Sequence, residues 1–233
     1  QILKMPNVEV FRESRLTAED IFALEVDHVA IATGATWRRD RFDGERYVPV
    51  AQDGIQILTA DDIMAGVLPS GPTLVYDEDT YYMGGVIAER VKQTGVPVTL
   101  ATPSDSVSAW AGNTSERWRI RSHVMQLGIE VLLSHHLQSF DGMQADLRCV
   151  YSDRKTLLPV TSIVMVTQRA PNDRLYHEIL GMPHKRRFTV TRIGDCDAPA
   201  IIASAVYAGH RYAQSLDCPS DQDARAKRDQ GGP

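Results

Sequence analysis

Three features of this 233-residue sequence predict an α/β fold built around parallel strands. An apolar run, Val26–Thr33, closes on Gly34. A strand–helix–strand unit runs from Thr73 to Ala101. A strand closing on Gly194-Asp195 leads into an amphipathic helix. Strands alternating with helices pack as a sheet with helices against it, and a strand–helix–strand crossover places its two strands parallel and right-handed.

The elements follow in order. Gln1–Val10 reads as the approach to a strand, and because residue 1 is not methionine the chain is expected to be a piece of something longer or a processed product. Thr17-Ala-Glu-Asp20 has the form of a capping box and opens at most one helical turn. Val26–Gly34 is short, rich in β-branched residues and ended by glycine, as a buried strand entering a tight turn should be. Trp37–Ala51 is polar and Arg-rich and reads as a crossing loop. Thr59-Ala-Asp-Asp62 starts another short helix, which Gly66 ends.

Gly71-Pro72 is a turn and Thr73–Tyr76 a strand. Val86, Ile87 and Val91 share one face of a helix that Gly95 stops, and Val96–Ala101 is the next strand. A helix over 115–127, ended by Gly128, and a strand over 129–133 extend the alternation. Leu147–Tyr151 with Leu157–Val160 reads as a small hairpin-like pair, and Thr161–Thr167 as another buried strand. Phe188–Ile193 is a strand, and Ala198 to about Leu216 a long amphipathic helix. Residues 217–233 carry almost nothing apolar and are expected to be disordered. The whole reads as α/β, two interleaved Rossmann-like layers.

Composition narrows the function. Lys plus Arg is 25 and Asp plus Glu 30, a net charge of −5, which lacks the basic footprint of a nucleic-acid binder. No apolar run reaches the ~18 residues of a membrane span, and no secretory signal is present, so a cytoplasmic location is expected. Cys149, Cys196 and Cys218 are scattered, with no CxxC pair and no disulfide framework.

The candidate chemistry sits at two strand ends. Gly194-Asp195 precedes a helix opening on Ala198-Pro-Ala, where backbone amides suit an anion and glycine allows close approach. Asp195 suits sugar hydroxyls, or it caps its own helix. Thr33-Gly34 is a second such end, or only a turn. His135-His136 reads as a solvated loop pair, Arg38, Arg39 and Arg41 as a solvated turn, Cys196 as a small buried thiol, and Trp37, Trp110 and Trp118 as packing residues. No catalytic triad, paired-carboxylate or metal-ligand constellation is found.

Ala32-Thr-Gly-Ala35, the inserted strand–helix–strand unit, Val166–Asn172, and Ile193-Gly-Asp195 with Pro199 and Ala205 form an ordered series. It resembles the two-dinucleotide-domain flavoproteins, in which one nucleotide domain is inserted into another. More narrowly, Tyr76-Asp-Glu-Asp-Thr-Tyr-Tyr-Met-Gly-Gly85 is similar to a segment of the trimethylamine, dimethylamine and histamine dehydrogenases, as is Ile193-Gly-Asp-Cys-Asp-Ala-Pro-Ala200 with Tyr207-Ala-Gly-His-Arg211. That group belongs to the NADH:flavin oxidoreductase family, with 2,4-dienoyl-CoA reductase, and the resemblance runs from about Val8 to Leu216.

The resemblance implies a Rossmann-like FAD/NAD(P)-binding fold. Residues 1–58 and 167–216 would be a partial outer FAD- or ADP-binding domain, and residues 59–166 an inserted NAD(P)-binding-like domain. It implies cofactor contacts at Thr33, Gly34, Gly194, Asp195 and Ala198, with ADP or FAD as ligand. FMN and a [4Fe–4S] cluster are implied only in an N-terminal TIM barrel of the same polypeptide, which this chain lacks. The electron acceptor would be an electron-transfer flavoprotein, and the full-length enzyme a homo-oligomer. The family's G-x-G-x-x-G turn is absent from the start of the chain. In the inserted unit Thr80 and Tyr82 stand where glycines would, so that unit reads as degenerate. A non-catalytic module docking an electron-transfer partner is the alternative. A stand-alone FAD/NAD(P)H reductase is disfavoured by the missing glycines.

Overall fold

The computed structural model describes residues 2–42, 44–183 and 187–216; the expected disordered tail, 217–233, lies outside them. The helices are α1 (Ala18–Ala23), α2 (Ala60–Met64), α3 (Met83–Lys92), α4 (Arg117–Gln126), α5 (Arg174–Gly181) and α6 (Ile202–Ser215). The first strands are β1 (His28–Ile31), β2 (Ala35–Trp37), β3 (Arg41–Phe42), β4 (Tyr47–Val48) and β5 (Leu58–Thr59). Then come β6 (Thr73–Asp77), β7 (Val98–Ala101), β8 (Glu130–Leu132), β9 (His135–Phe140) and β10 (Gln144–Cys149). The last are β11 (Lys155–Pro159), β12 (Ser162–Val166), β13 (Arg169–Pro171) and β14 (Thr189–Arg192). No helix among the described residues is long and apolar enough to cross a membrane.

The chain divides into two compact units, residues 36–170 and residues 1–35 with 171–233. The central unit holds a five-stranded sheet in the order β5-β12-β6-β7-β8, parallel throughout. β6 is buried at every position, as a parallel strand covered on both faces must be. Alternate side chains explain the covering. Val75, Val164 and Val166 point into a core with Ile63, Ile87, Val91 and Val124 of the helices. Leu74, Tyr76, Ile163 and Met165 face Leu137, Phe140, Ala145 and Leu147 of the antiparallel sheet β11-β10-β9. This is a three-layer Rossmann-like unit, with helices on one face and a small sheet on the other. Leu74, Leu100 and Ile163 are fully buried, and each such side chain stabilises the fold by about 2 kcal/mol.

Residues 36–58, expected in the outer domain, pack in the central unit instead. Val50 and Ile57 lie in its core and Leu58 pairs with Val164. The hairpin-like pair is there as β10 and β11, but a third strand joins it, and His135 and His136 belong to that strand rather than to a loop. Ser134, at φ 56°, turns the chain sharply enough to start β9 at once. His135 is buried, with Nδ1 2.7 Å from the carbonyl of Leu133.

In the other unit β1 and β14 pair in parallel, His28 against Thr189 through Ile31 against Arg192. Ala18, Ile21, Ile31, Ile179, Phe188 and Cys196 make its small core. The expected capping box forms between Thr17 and Asp20, though α1 runs for six residues rather than one turn, and the expected helix start at Thr59 is a second such box, with Asp62. Ile2–Lys4, expected to approach a strand, is a single 3-10 turn.

Candidate functional site

Parallel pairing sets the ends of β1 and β14 side by side, and the residues after each strand form one polar network. Thr33 Oγ1 lies 2.5 Å from the carbonyl of Asn172 and 3.2 Å from Cys196 Sγ. The Asn172 amide donates to the Gly34 carbonyl at 2.9 Å, and its side chain donates to the Thr33 carbonyl at 3.3 Å. Cys196 is fully buried, as a small packing thiol should be. Thr33, Gly34, Gly194 and Asp195 are thus brought together. Asn172, which links them, closes the Val166–Asn172 stretch of the resemblance, but an Asn after Pro carries no motif that would give it this linking role.

The chain after β14 does not enter its helix directly. Gly194–Cys196 forms a 3-10 turn with Gly194 at φ 61°, a left-handed conformation that favours glycine. A Cβ there would meet only Ala205 at 3.6 Å, so conformation rather than space demands the glycine. The amides of Asp197 and Ala198 both donate to the Gly194 carbonyl at 3.0 Å. Asp195 Oδ1 accepts from the Ala200 amide at 3.2 Å.

The long helix therefore starts at Ile202 rather than Ala198. Proline at 199 disfavours helical geometry at Ala198, and Asp195 holds Ala200 in the loop. Ala198 consequently offers no open amide. The first amides of α6, at Ile202 and Ala203, precede the first helical acceptor, as at any helix start. No side chain caps that end.

Two cavities open in this unit. A groove of about 1210 Å³ is lined by Arg15, Val29, Ile31, Thr33, Asn172 and Glu178 among others. A second, of about 660 Å³, is lined by His28, Thr191, Arg192, Tyr207 and Arg211 among others. Arg192, on the wall of the second, binds Asp173 at 2.6 Å and Asp197 at 3.3 Å, and lies over the Tyr176 ring. Burial works to raise the Asp173 carboxyl, but His177 and Arg192 hold it below the usual carboxylate range.

In the central unit the sheet reverses its winding between β6 and β12, the position where such folds bind ligands. Here the chain leaving β6 is tied across to the end of β12. Glu78 and Asp79 donate their amides to the Val166 carbonyl. Tyr81 packs edge-on against both Tyr82 and Trp110. Asp77 is fully buried; its Oδ1 accepts from the Thr80 amide at 2.9 Å, and its Oδ2 has no partner among the described residues. Burial pushes the Asp77 carboxyl up to about 7, against the Thr80 amide, which lowers it. Burial also raises Glu78 and Asp79.

The arginines of the crossing segment are held rather than freely solvated. Arg38 pairs with Asp40 at 2.7 Å and Arg39 with Asp62 at 2.6 Å. Trp37 packs on the helical-layer core and Trp110 on Tyr81. Trp118 does not pack: α4 turns Ile120 and Val124 inward, which leaves Trp118 on the opposite side and 74% exposed. Among the described residues no group of three or more His, Cys, Asp or Glu could hold a metal ion.

No protein-family model matches the chain. Dimethylamine dehydrogenase of Hyphomicrobium sp. (strain x) is 25% identical over 255 residues, covering 97% of this chain and 34% of its own length. The structure of histamine dehydrogenase from Rhizobium sp. 4-9 superposes with a TM-score of 0.88 at 38% identity, over 94% of this chain and 35% of that one. That of 6-hydroxypseudooxynicotine amine oxidase from Pseudomonas geniculata N1 superposes at 0.86 with 33% identity, over 93% of this chain and 33% of that one. The chain is thus homologous to the dimethylamine and histamine dehydrogenases over a region about one third of their length.

Proposed function

We propose that this chain is the C-terminal nucleotide-binding and structural region of a larger oxidoreductase of the amine dehydrogenase type. In this reading FMN and a [4Fe–4S] cluster belong to a TIM barrel elsewhere in the same polypeptide. Electrons leave that barrel for a protein acceptor such as an electron-transfer flavoprotein, and the full-length enzyme is a homo-oligomer.

The carrying observation is the network joining the ends of β1 and β14, Thr33 with Asn172 and Cys196, beside the left-handed turn at Gly194. The residues fit one side of an adenine nucleotide. Gly194 lets a ligand approach the backbone, the α6 amides at Ile202 and Ala203 suit a phosphate, and Asp195 suits a sugar hydroxyl. Thr33 and Gly34 hold the neighbouring turn in register, and Ala198 supports the loop through its bond to Gly194. The opposite side of such a ligand needs a glycine-rich turn that this sequence does not contain. As ADP the ligand is structural; as FAD it would supply electron relay.

The central unit takes no dinucleotide in this reading, because Thr80 and Tyr82 stand where a working turn has glycines and the buried carboxyl of Asp77 lies against the start of α3. The test is to purify the longest native polypeptide that carries this chain, denature it and identify the released small molecules by mass spectrometry. ADP or FAD released together with FMN supports the reading. Stoichiometric flavin bound to the 233-residue chain alone contradicts it.

A further inference from the structure

α4 has an outward face that its own unit does not cover. Ile120 and Val124 point inward to the helical-layer core. On the far side Trp118 is 74% exposed and Met125 60%. Seven residues apart at ~3.6 per turn, the two side chains fall within about 20° of one another around the helix. Arg117, Arg119 and Arg121 border them, and the helix contains no acid. Arg119 reaches Glu116 at 3.4 Å, while Arg117 and Arg121 have no carboxylate partner among the described residues. Beside this face a groove of about 670 Å³ runs between α3 and α4, lined by Val86, Trp118 and Ile120 and by the pair Glu89–His123, 3.2 Å apart.

The sign of this patch is opposite to that of the chain, whose net charge is −5. Tryptophan, methionine and arginine are also the side chains that concentrate at the centres of protein interfaces, where Lys and Glu are depleted. We propose that the outward face of α4 is the docking surface for an acidic protein partner. Its carboxylates would meet Arg117, Arg119 and Arg121 around an apolar centre seated on Trp118 and Met125. A membrane surface fits less well, because a helix lying in lipid needs a continuous apolar face and this one offers two side chains. The proposal does not depend on the nucleotide reading, and either can fail alone.

The experiment titrates the 233-residue chain, by calorimetry and tryptophan fluorescence, with three defined probes. One is a helical peptide carrying a leucine–phenylalanine stripe flanked by glutamates, the second is the same peptide with lysines, and the third is phosphatidylglycerol vesicles. The expected result is saturable binding of the acidic peptide only, weakened at least tenfold on going from low to high salt. R117E/R121E and, separately, Trp118→Ala should each lose at least tenfold in affinity. Their circular dichroism and melting temperature should not change, since these side chains are exposed. Four results would overturn the proposal: no binding of the acidic peptide, equal binding of the lysine peptide, binding only to vesicles, or self-association of the chain through Trp118 in sedimentation.

Discussion

The carboxyl group of Asp77, the last residue of β6, lies against the Cα of Gly84, the second residue of α3. A Cβ added at Gly84 would stand 2.4 Å from both Cγ and Oδ2 of Asp77. The two residues define each other's space. The fully buried acid fits only because the helix beside it offers bare backbone, and its carboxylate sits by the helix start where a dinucleotide fold would place a phosphate.

Gly84→Ala should therefore destabilise the central unit, although alanine is the better helix former by ~1 kcal/mol. Overpacking at a buried site costs about 1 to 3 kcal/mol. A net loss is expected in urea unfolding, and Asp77→Ala in the same chain should recover part of it. Equal losses for Gly84→Ala with and without Asp77 would show that the two residues do not limit one another.

The Asp77 carboxyl gives a pH dependence of definite sign. Its folded value, about 7, is raised above the ordinary 3.8, so the folded state binds the proton more tightly between those limits. Stability from this group is present below pH 3.8 and is lost as pH rises toward 7. At ~1.4 kcal/mol per pH unit the loss has a ceiling of about 4 kcal/mol. Asp77→Asn cannot ionise and still accepts from the Thr80 amide. Its stability relative to the parent chain should rise between pH 4 and 7 and then level off. A difference independent of pH would place the ionised carboxylate in a better solvated site.

The network at the ends of β1 and β14 should be worth about 1 kcal/mol per hydrogen bond. Thr33→Val keeps the shape and removes the hydroxyl that meets the Asn172 carbonyl and Cys196 Sγ. A fall of about 1 to 2 kcal/mol in unfolding free energy is expected, and Thr33→Ser should recover most of it. No change with valine would mean that the hydroxyl is as well satisfied by water.

Thr80 and Tyr82 in the turn after β6, with the Asp77 carboxyl against the start of α3, predict that the chain takes up neither NADH nor NADPH. Calorimetry at low salt should show no saturable binding tighter than about 10 μM, roughly −7 kcal/mol. Tighter binding, abolished by a bulky residue at Gly85, would identify a working site.

What could be read beforehand follows from which residues had no choice. Strands buried on both faces must be continuously apolar, so Thr73–Tyr76 and Thr161–Thr167 announced themselves. Glycines at 34, 95 and 194 marked where the chain had to turn left-handed. The start of α6 was misplaced because Ala198-Pro-Ala looks like a first helical turn. Only the bond from the Ala200 amide to Asp195 shows that the turn is still a loop. The place of residues 36–58 depended on long-range packing of Val50 and Ile57, which no local pattern encodes. The Asp77–Gly84 contact was hidden for a related reason. The departures at Thr80 and Tyr82 were visible, but the contact spans the turn between them and needs three dimensions to appear.

The most direct test of the account concerns Asp195 in the polypeptide that contains the whole nucleotide site. Asp195→Ala and Asp195→Asn should be compared for adenine-nucleotide affinity and melting temperature. Asparagine can still accept from the Ala200 amide, so its fold should be nearly unchanged. If Asp195 binds the ligand, both variants lose about 1 to 3 kcal/mol of nucleotide affinity, roughly fivefold to somewhat over a hundredfold. Affinity preserved in both, with only the alanine variant melting earlier, would mean that Asp195 serves its own loop and that the nucleotide site lies elsewhere.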